Sequence, residues 1–315
     1  MLVVDNLGIS LGQTRALRPL SFSLDAGETL GIVGESGSGK SITALAIMGL
    51  LPEVMQASGS ILLKGENLLA LDESSLCALR GRRMAMIFQE PMTALNPVMT
   101  IGRQIAEGLV LHGLMTSEAA ASEAVRLIER VGLPEPELRA HSYPHELSGG
   151  QRQRAMIAMA ISCRPALLIA DEPTSALDVT VQAEILALLR EIREETGMGM
   201  LFISHDLAVI SKLANRTLVL YGGAAMEMGE TQALLAAPRH PYTRGLIAAI
   251  PRGNAHTTPL RPIRGHVPEL HGLPDGCPFH GRCLTGTDLC RRSSPAPDVA
   301  STTAWCHHLD GGQGA

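Results

Sequence analysis

Gly34-Glu35-Ser36-Gly37-Ser38-Gly39-Lys40-Ser41 fits the spacing G-x-x-x-x-G-K-[ST], a loop that wraps the phosphates of a nucleotide. Thr29–Val33, just before it, is a short apolar run that suits a buried strand. Just after it, Ile42, Leu45, Ala46 and Gly49 recur at helical spacing, which predicts a helix over Lys40–Leu51 stopped by Pro52. The loop therefore joins a strand to a helix, and the fold class is α/β. Gly34, Gly37 and Gly39 let the backbone take positive φ and approach a ligand closely. Inward N–H groups and a helix N-terminus then favour an anion. Lys40 is expected at the β- and γ-phosphates and the Ser41 hydroxyl on Mg²⁺. A bare glycine-rich turn is the bland alternative. Strand, lysine, serine and helix agreeing together argue against it.

Three more short apolar runs end in polar residues. Ala166–Ala170 runs into Asp171-Glu172, at a strand end where ligands bind in open α/β sheets. Asp171 is expected to hold Mg²⁺, directly or through water, and Glu172 to orient or deprotonate the attacking water. Met200–Ser204 ends at His205, placed to contact the γ-phosphate, and Ala85–Phe88 ends at Gln89, whose amide oxygen can ligate Mg²⁺ or water. Each alone is weak: acidic pairs are often surface charges or caps, and a lone histidine is more often structural. Their order gives them weight, with Asp171 about 130 residues after the loop.

Over residues 1–250 the chain resembles the ATP-binding subunit of an ABC transporter. It carries the phosphate loop Gly34–Ser41, Gln89, the signature Leu147-Ser148-Gly149-Gly150-Gln151, the acidic strand end Asp171-Glu172, the Ser175–Asp178 loop and His205. The resemblance implies a P-loop ABC ATPase domain: a mixed-sheet core, an antiparallel β subdomain and a helical subdomain at about 91–165. It implies a head-to-tail pair of ATPase subunits, a second copy or a paralogue. Ser148, Gly149, Gly150 and Gln151 would then close on the γ-phosphate of the partner's nucleotide, with Asp178 at the seam. An N-cap serine and two glycines opening a helix offer free N–H groups for that capture. One position departs from the family, which usually stacks an aromatic residue on adenine near the end of the first strand. No Phe, Tyr, Trp or His precedes Phe22, and Leu11 takes the place. Leucine keeps apolar contact and loses the stacking preference.

A net charge of −5 and a pI near 6.1 argue against a nucleic-acid partner held through its phosphates. No apolar stretch approaches the length that spans a bilayer, and the N-terminus does not read as a signal peptide. The expected location is peripheral, on the cytoplasmic face of the inner membrane, through a partner. Leu20–Leu24 and Ser60–Lys64 read as antiparallel strands. Ala119–Val131 reads as an amphipathic helix, and Thr217–Tyr221 with Ala224–Met228 as a hairpin about Gly222-Gly223.

Composition shifts near residue 251. The tail 251–315 is rich in Pro, His and Cys, and is expected to be a small loop-rich appendage. Cys277, Cys283, Cys290 and Cys306 suggest metal rather than disulfides in a cytosolic chain. Zinc sites usually pair cysteines two to four residues apart, and no such pair is present. A [4Fe–4S] cluster fits four thiolates, and the resemblance to the family implies one, since some members carry it in such a tail, which ranks it ahead of zinc and of unligated thiols. Cys77 and Cys163 are expected to be buried or incidental.

Phe88–Pro97, Tyr143–Leu147, His240-Pro241-Tyr242-Thr243 and the Pro-rich tail are similar to the dipeptide, oligopeptide and nickel importer branch. The implied activity is ATP hydrolysis coupled to import, of peptides ahead of nickel. The implied partners are two transmembrane permease subunits and, indirectly, an extracytoplasmic substrate-binding protein. A soluble ABC ATPase of translation or DNA repair is the competing class, but the long coiled coils, basic surfaces or second ATPase domain usual there are not visible. A regulatory protein with a dead ATPase conflicts with intact Lys40, Glu172 and His205.

Overall fold

The computed structural model describes residues 1–175, 177–250, 262–269 and 272–309. Ala176, inside the expected Ser175–Asp178 loop, and the rest of the tail lie outside the described residues. The chain begins with β1 Leu2–Leu11, β2 Thr14–Leu24, β3 Thr29–Val33, α1 Lys40–Met48, β4 Met55–Leu63 and β5 Glu66–Asn67. Next come α2 Glu73–Leu79, β6 Met84–Ile87, α3 Pro91–Ala94, α4 Ile101–Leu111, α5 Ser117–Arg130, α6 Pro136–His141 and α7 Gly149–Ile161. Then follow β7 Leu167–Asp171, α8 Val179–Thr196, β8 Gly199–Ser204, α9 Leu207–Leu213, β9 Arg216–Tyr221 and β10 Ala224–Glu230. The chain closes with α10 Thr231–Ala236, α11 Pro241–Ala248, α12 Asp288–Arg292, β11 Pro297–Val299 and β12 Thr303–Trp305.

Two compact units interleave along the chain. The first comprises Met1–Leu2, Leu24–Glu28 and Leu63–Phe202, and the second Val3–Ser23, Thr29–Leu62 and Ile203–Ala315. In the first unit β6 and β7 run parallel, with Ile87 level with Ala170. Every residue of both strands is buried, as expected of strands covered on both faces. Beside them lies a helical layer. α5 turns Ala120, Ala124 and Ile128 inward and keeps charge outward, the stripe anticipated over Ala119–Val131.

In the second unit β3 pairs in parallel with β9, and β9 turns back through Gly222 (φ 52°) and Gly223 (φ 71°) into antiparallel β10. This is the hairpin that the Gly-Gly pair announces. The tail adds strands here: β12 pairs antiparallel with β10, and β11 with β12. β1 buries Leu2, Val4, Leu7 and Ile9, its alternation interrupted at Asn6, which takes a φ of 49°. Helix α1 ends earlier than Pro52 suggests: Gly49 adopts φ 65° and its N–H closes onto Ala46 and Leu45, a glycine C-cap.

Candidate functional site

The phosphate loop lies wholly in the second unit. β3 delivers Gly34, where a Cβ would collide with the Leu220 carbonyl oxygen, so only glycine fits. Gly37 (φ 76°) faces open space, and Gly39 (φ 100°) caps α1 without any side-chain cap. The first-turn N–H groups of α1 are thus not used by a capping side chain. Lys40 is only 6% exposed, and its Nζ donates to the carbonyl oxygens of Gly34 at 2.7 Å and Glu35 at 3.0 Å. Ser38 Oγ is buried without a hydrogen-bond partner among the described residues. Three glycines, an ammonium turned into the loop and an orphaned hydroxyl fit a polyphosphate. Ser36 is exposed and Ser41 half-buried. Leu11 ends β1 and is 41% exposed, followed by Gly12 at φ 58°.

His205 follows β8 in the same unit and is exposed; Asp206 next to it caps α9 by accepting from the Ala208 N–H at 2.7 Å. Sequence reasoning did not find two other residues that meet the phosphate loop here, Tyr242 and Arg282, nor Tyr221 behind them. The Glu35 N–H donates to Tyr242 Oη at 3.0 Å, and the Glu35 carboxylate pairs with Arg282, which also reaches Tyr221 Oη at 3.2 Å. Burial holds the Tyr242 hydroxyl above its ordinary pKa, so it stays protonated.

The remaining motifs lie in the first unit. Because β6 and β7 are parallel with Ile87 level with Ala170, Gln89 and Glu172 leave the same end of the sheet. Asp171 closes β7 at 5% exposure, and Glu172 takes a φ of 47°, a left-handed conformation costly for a residue with a Cβ. Ser148 caps α7 in a reciprocal box: the Gln151 N–H donates to Ser148 Oγ at 3.3 Å, and the Ser148 N–H to Gln151 Oε1 at 3.0 Å. That leaves the N–H groups of Gly149 and Gly150 outside the box. A Cβ on Gly150 would press on Val181 of α8, so glycine also brings α7 close to α8. Asp178 caps α8, accepting from the Thr180 and Val181 N–H groups at 3.0 Å each. The oxygen donors of Ser41, Gln89 and Asp171 are the hard ligands that Mg²⁺ prefers.

The tail cysteines do not form the expected ligand cage. Among the described residues no three His, Cys, Asp or Glu side chains stand together to hold one ion. Cys277 and Cys290 are buried, whereas Cys283 and Cys306 are half-exposed. The sulfurs instead take separate partners: Cys306 accepts from the His308 N–H at 3.4 Å, and Cys283 and Cys290 bond the hydroxyls of Thr285 and Thr287. Burial pushes the Cys277 thiol up to about 12, with the other three cysteines adding to the shift. Of the other two cysteines, Cys77 is exposed on α2 and Cys163 is buried beside Leu109 and Ala120.

Comparison with known proteins gives this geometry a family. The family described as "ABC transporter" matches residues 17–175, and "Oligopeptide/dipeptide transporter, C-terminal region" matches 226–290. The chain is 49% identical over 284 residues to the oligopeptide transport ATP-binding protein OppD of Escherichia coli, covering 90% of this chain and 84% of that one. It is 45% identical over 307 residues to the dipeptide transport ATP-binding protein DppD of Bacillus subtilis, covering 96% and 92%. The fold is similar to the dimeric post-hydrolysis state of the ATP-binding cassette MJ0796 bound to ADP and Pi, with a TM-score of 0.66, 28% identity and coverage of 73% and 99%. It is also similar to cbiO1 of Clostridium perfringens, part of the ABC transporter complex cbiONQ, with a TM-score of 0.65, 25% identity and coverage of 75% and 90%. With so much of its length shared at such identity, the chain belongs to the ATP-binding proteins of the ABC transporter family, in the branch that carries the oligopeptide/dipeptide C-terminal region.

Proposed function

We propose that this protein hydrolyses ATP to drive import of dipeptides or oligopeptides. The observation that carries this reading is the loop Gly34–Ser41, shaped for a polyphosphate, in a chain whose residues 226–290 match the peptide-transporter C-terminal region. On binding, Lys40 exchanges the carbonyls of Gly34 and Glu35 for the β- and γ-phosphates, and the N–H groups of Gly37 to Ser41 take the remaining oxygens. Ser41, Gln89 and Asp171 are the residues that would hold Mg²⁺, which would neutralise charge at those phosphates. Glu172 orients the attacking water and accepts its proton, and His205 contacts the γ-phosphate. Ser148, Gly149, Gly150 and Gln151 close on the nucleotide of a second ATPase subunit, a copy or a paralogue, with Asp178 at the seam. Leu11 lies against adenine. Glu172→Gln tests the reading: ATP still binds, but turnover falls by about 10²–10⁴-fold. Unchanged turnover sinks it.

The permease partner also has a candidate seat. Among the described residues α4, α5 and α6 border a groove of about 740 Å³ lined by Ala106, Val110, Leu111 and Val125, with Arg103 and Glu107 at hand. Val98 is 80% exposed nearby in the chain, and Met92 is also exposed. An apolar groove with a few charges suits a partner helix. No helix among the described residues is long and apolar enough to cross a membrane. In this proposal attachment to the cytoplasmic face runs through such a partner. Purification from mild-detergent membranes is expected to yield two permease subunits and an ATPase partner. Recovery of ribosomes or repair proteins points to the soluble class instead. The associated binding protein separates peptide from nickel cargo.

The tail cysteines are proposed as ligands of a [4Fe–4S] cluster, with zinc second. The support is chemical: four thiols in one tail, each already accepting or sharing a hydrogen bond, which tunes iron–sulfur ligands. A bound cation would favour the thiolate of Cys277, whose thiol is otherwise kept protonated by burial. Iron and sulfide analysis of anaerobically purified protein decides it, and one zinc with no iron reverses the ranking. We also assign residues 1–250 to the ATPase and 251–315 to the tail. Limited proteolysis is expected to trim the tail first; simultaneous loss of both parts is the contrary result.

A further inference from the structure

We propose that Arg282, from the tail, is a positioning residue of the phosphate loop that also cancels a negative charge beside the phosphates. The inference rests on the ATP-site reading above. Arginine has five N–H donors, and here each has an acceptor. Nε donates to the Arg264 carbonyl oxygen at 2.7 Å. One terminal nitrogen donates to Glu35 Oε2 at 2.6 Å and Tyr221 Oη at 3.2 Å. The other donates to Glu35 Oε1 at 3.2 Å and the Ile263 carbonyl oxygen at 3.3 Å. The side chain is 6% exposed, against 32% for Glu35. The guanidinium also lies 5.6 Å from the centre of the Tyr221 ring.

Glu35 is the second residue of the loop, and each of its polar groups is held. Its carboxylate is gripped by both arms of Arg282. Its N–H donates to Tyr242, and its carbonyl oxygen accepts from Lys40 Nζ at 3.0 Å and the Ser38 N–H at 3.2 Å. Behind this contact, Tyr221, Tyr242 and Phe279 pack their rings 4.8–5.2 Å apart. Phe279 and Arg282 both lie in the short segment between Cys277 and Cys283. That segment therefore fixes the backbone that leads into the loop, in an aromatic packing that leaves few alternatives.

A carboxylate inside a phosphate-binding loop is an electrostatic cost. Two like charges several ångströms apart in a partly buried site repel each other. A bidentate arginine removes that cost and fixes the loop's entry at the same time, a combination that one lysine contact cannot reproduce.

The test is calorimetric titration of the full chain with MgATP. Arg282→Gln is expected to weaken ATP binding about 5- to 10-fold, most strongly at low salt, and Arg282→Lys by less. Adding Glu35→Gln to Arg282→Gln is expected to restore affinity to within about 2-fold, because the uncovered charge is gone; a merely structural role gives no such rescue. Arg239→Gln, which loosens the tail at Asp298 and Thr302 away from the loop, is expected to lower thermal stability without changing ATP affinity. Native affinity in Arg282→Gln, or no rescue by Glu35→Gln, overturns the proposal. If Arg282→Gln does not fold, unchanged affinity in Arg282→Lys overturns it alone. Lys40→Ala is the separate control: ATP binding that survives it sinks the ATP-site reading itself.

Discussion

Lys40 and Gly34 close the phosphate loop on itself: the lysine ammonium donates to the glycine carbonyl oxygen at 2.7 Å. Gly34 sits tight against β9, where a Cβ would strike the Leu220 carbonyl and approach Ser38 Oγ to 2.7 Å. Gly34→Ala must therefore shift backbone rather than a flexible side chain. The expected result is a loss of about 1–3 kcal/mol in stability and loss of measurable ATP binding, read by thermal unfolding with and without MgATP. A variant that ATP still stabilises like the native protein contradicts this account.

A buried carboxylate adds to the pairing of β12 with β10 in holding the tail to the sheet. Glu227, fully buried, accepts from the Thr302 hydroxyl at 2.7 Å, from the Arg239 N–H at 3.0 and 3.1 Å, and from the His240 N–H at 2.9 Å. Glu227→Gln keeps the shape but turns an NH₂ toward donors. It is expected to cost about 2–3 kcal/mol, visible as a lower denaturation midpoint. Thr302→Val removes one donor and is expected to cost less. Equal stability of all three proteins refutes the latch.

Much of this machinery is legible in the chain because it is local. The phosphate loop, the strand ends at Gln89, Asp171 and His205, and the Gly222-Gly223 turn each declare themselves within about ten residues. Contacts between distant segments leave no periodic signal. Arg282 and Glu35 are 247 positions apart, and Thr302 and Glu227 are 75 apart. Nothing in either segment names its partner. The left-handed backbone of Glu172 is likewise invisible, since propensity would assign it to glycine or asparagine. The cysteines read differently: their count suggests a cage, while in the structure the sulfurs of Cys283 and Cys306 each take a hydrogen-bond partner two residues away.

Leu11 stands exposed where β1 ends, so a larger ring there meets no packed neighbour that must move. Leu11→Tyr is expected to tighten ATP binding by about 0.5–1.5 kcal/mol, roughly 2- to 10-fold, and to sharpen the preference over GTP. Titration with both nucleotides checks it. Equal affinities for both nucleotides before and after the change remove Leu11 from the adenine site.

His240 sets a pH dependence of stability. Its ring is buried at the start of α11, where Nδ1 accepts from the Tyr242 N–H at 3.0 Å, and protonation would abolish that bond. Burial, aided by the positive charge of Arg244, lowers its pKa to about 3 from 6.5. The unfolded chain therefore binds a proton below pH 6.5 that the folded chain refuses. The stabilisation from this group is complete above pH 6.5 and falls as pH drops toward 3, by at most about 1.4 kcal/mol per pH unit. His240→Asn offers a non-titrating acceptor to the same N–H. It is expected to be less stable than the native protein at pH 8 but to lose stability more gently between pH 6 and 4. Denaturant midpoints across that range read the slope, and parallel curves for the two proteins show that another group governs it.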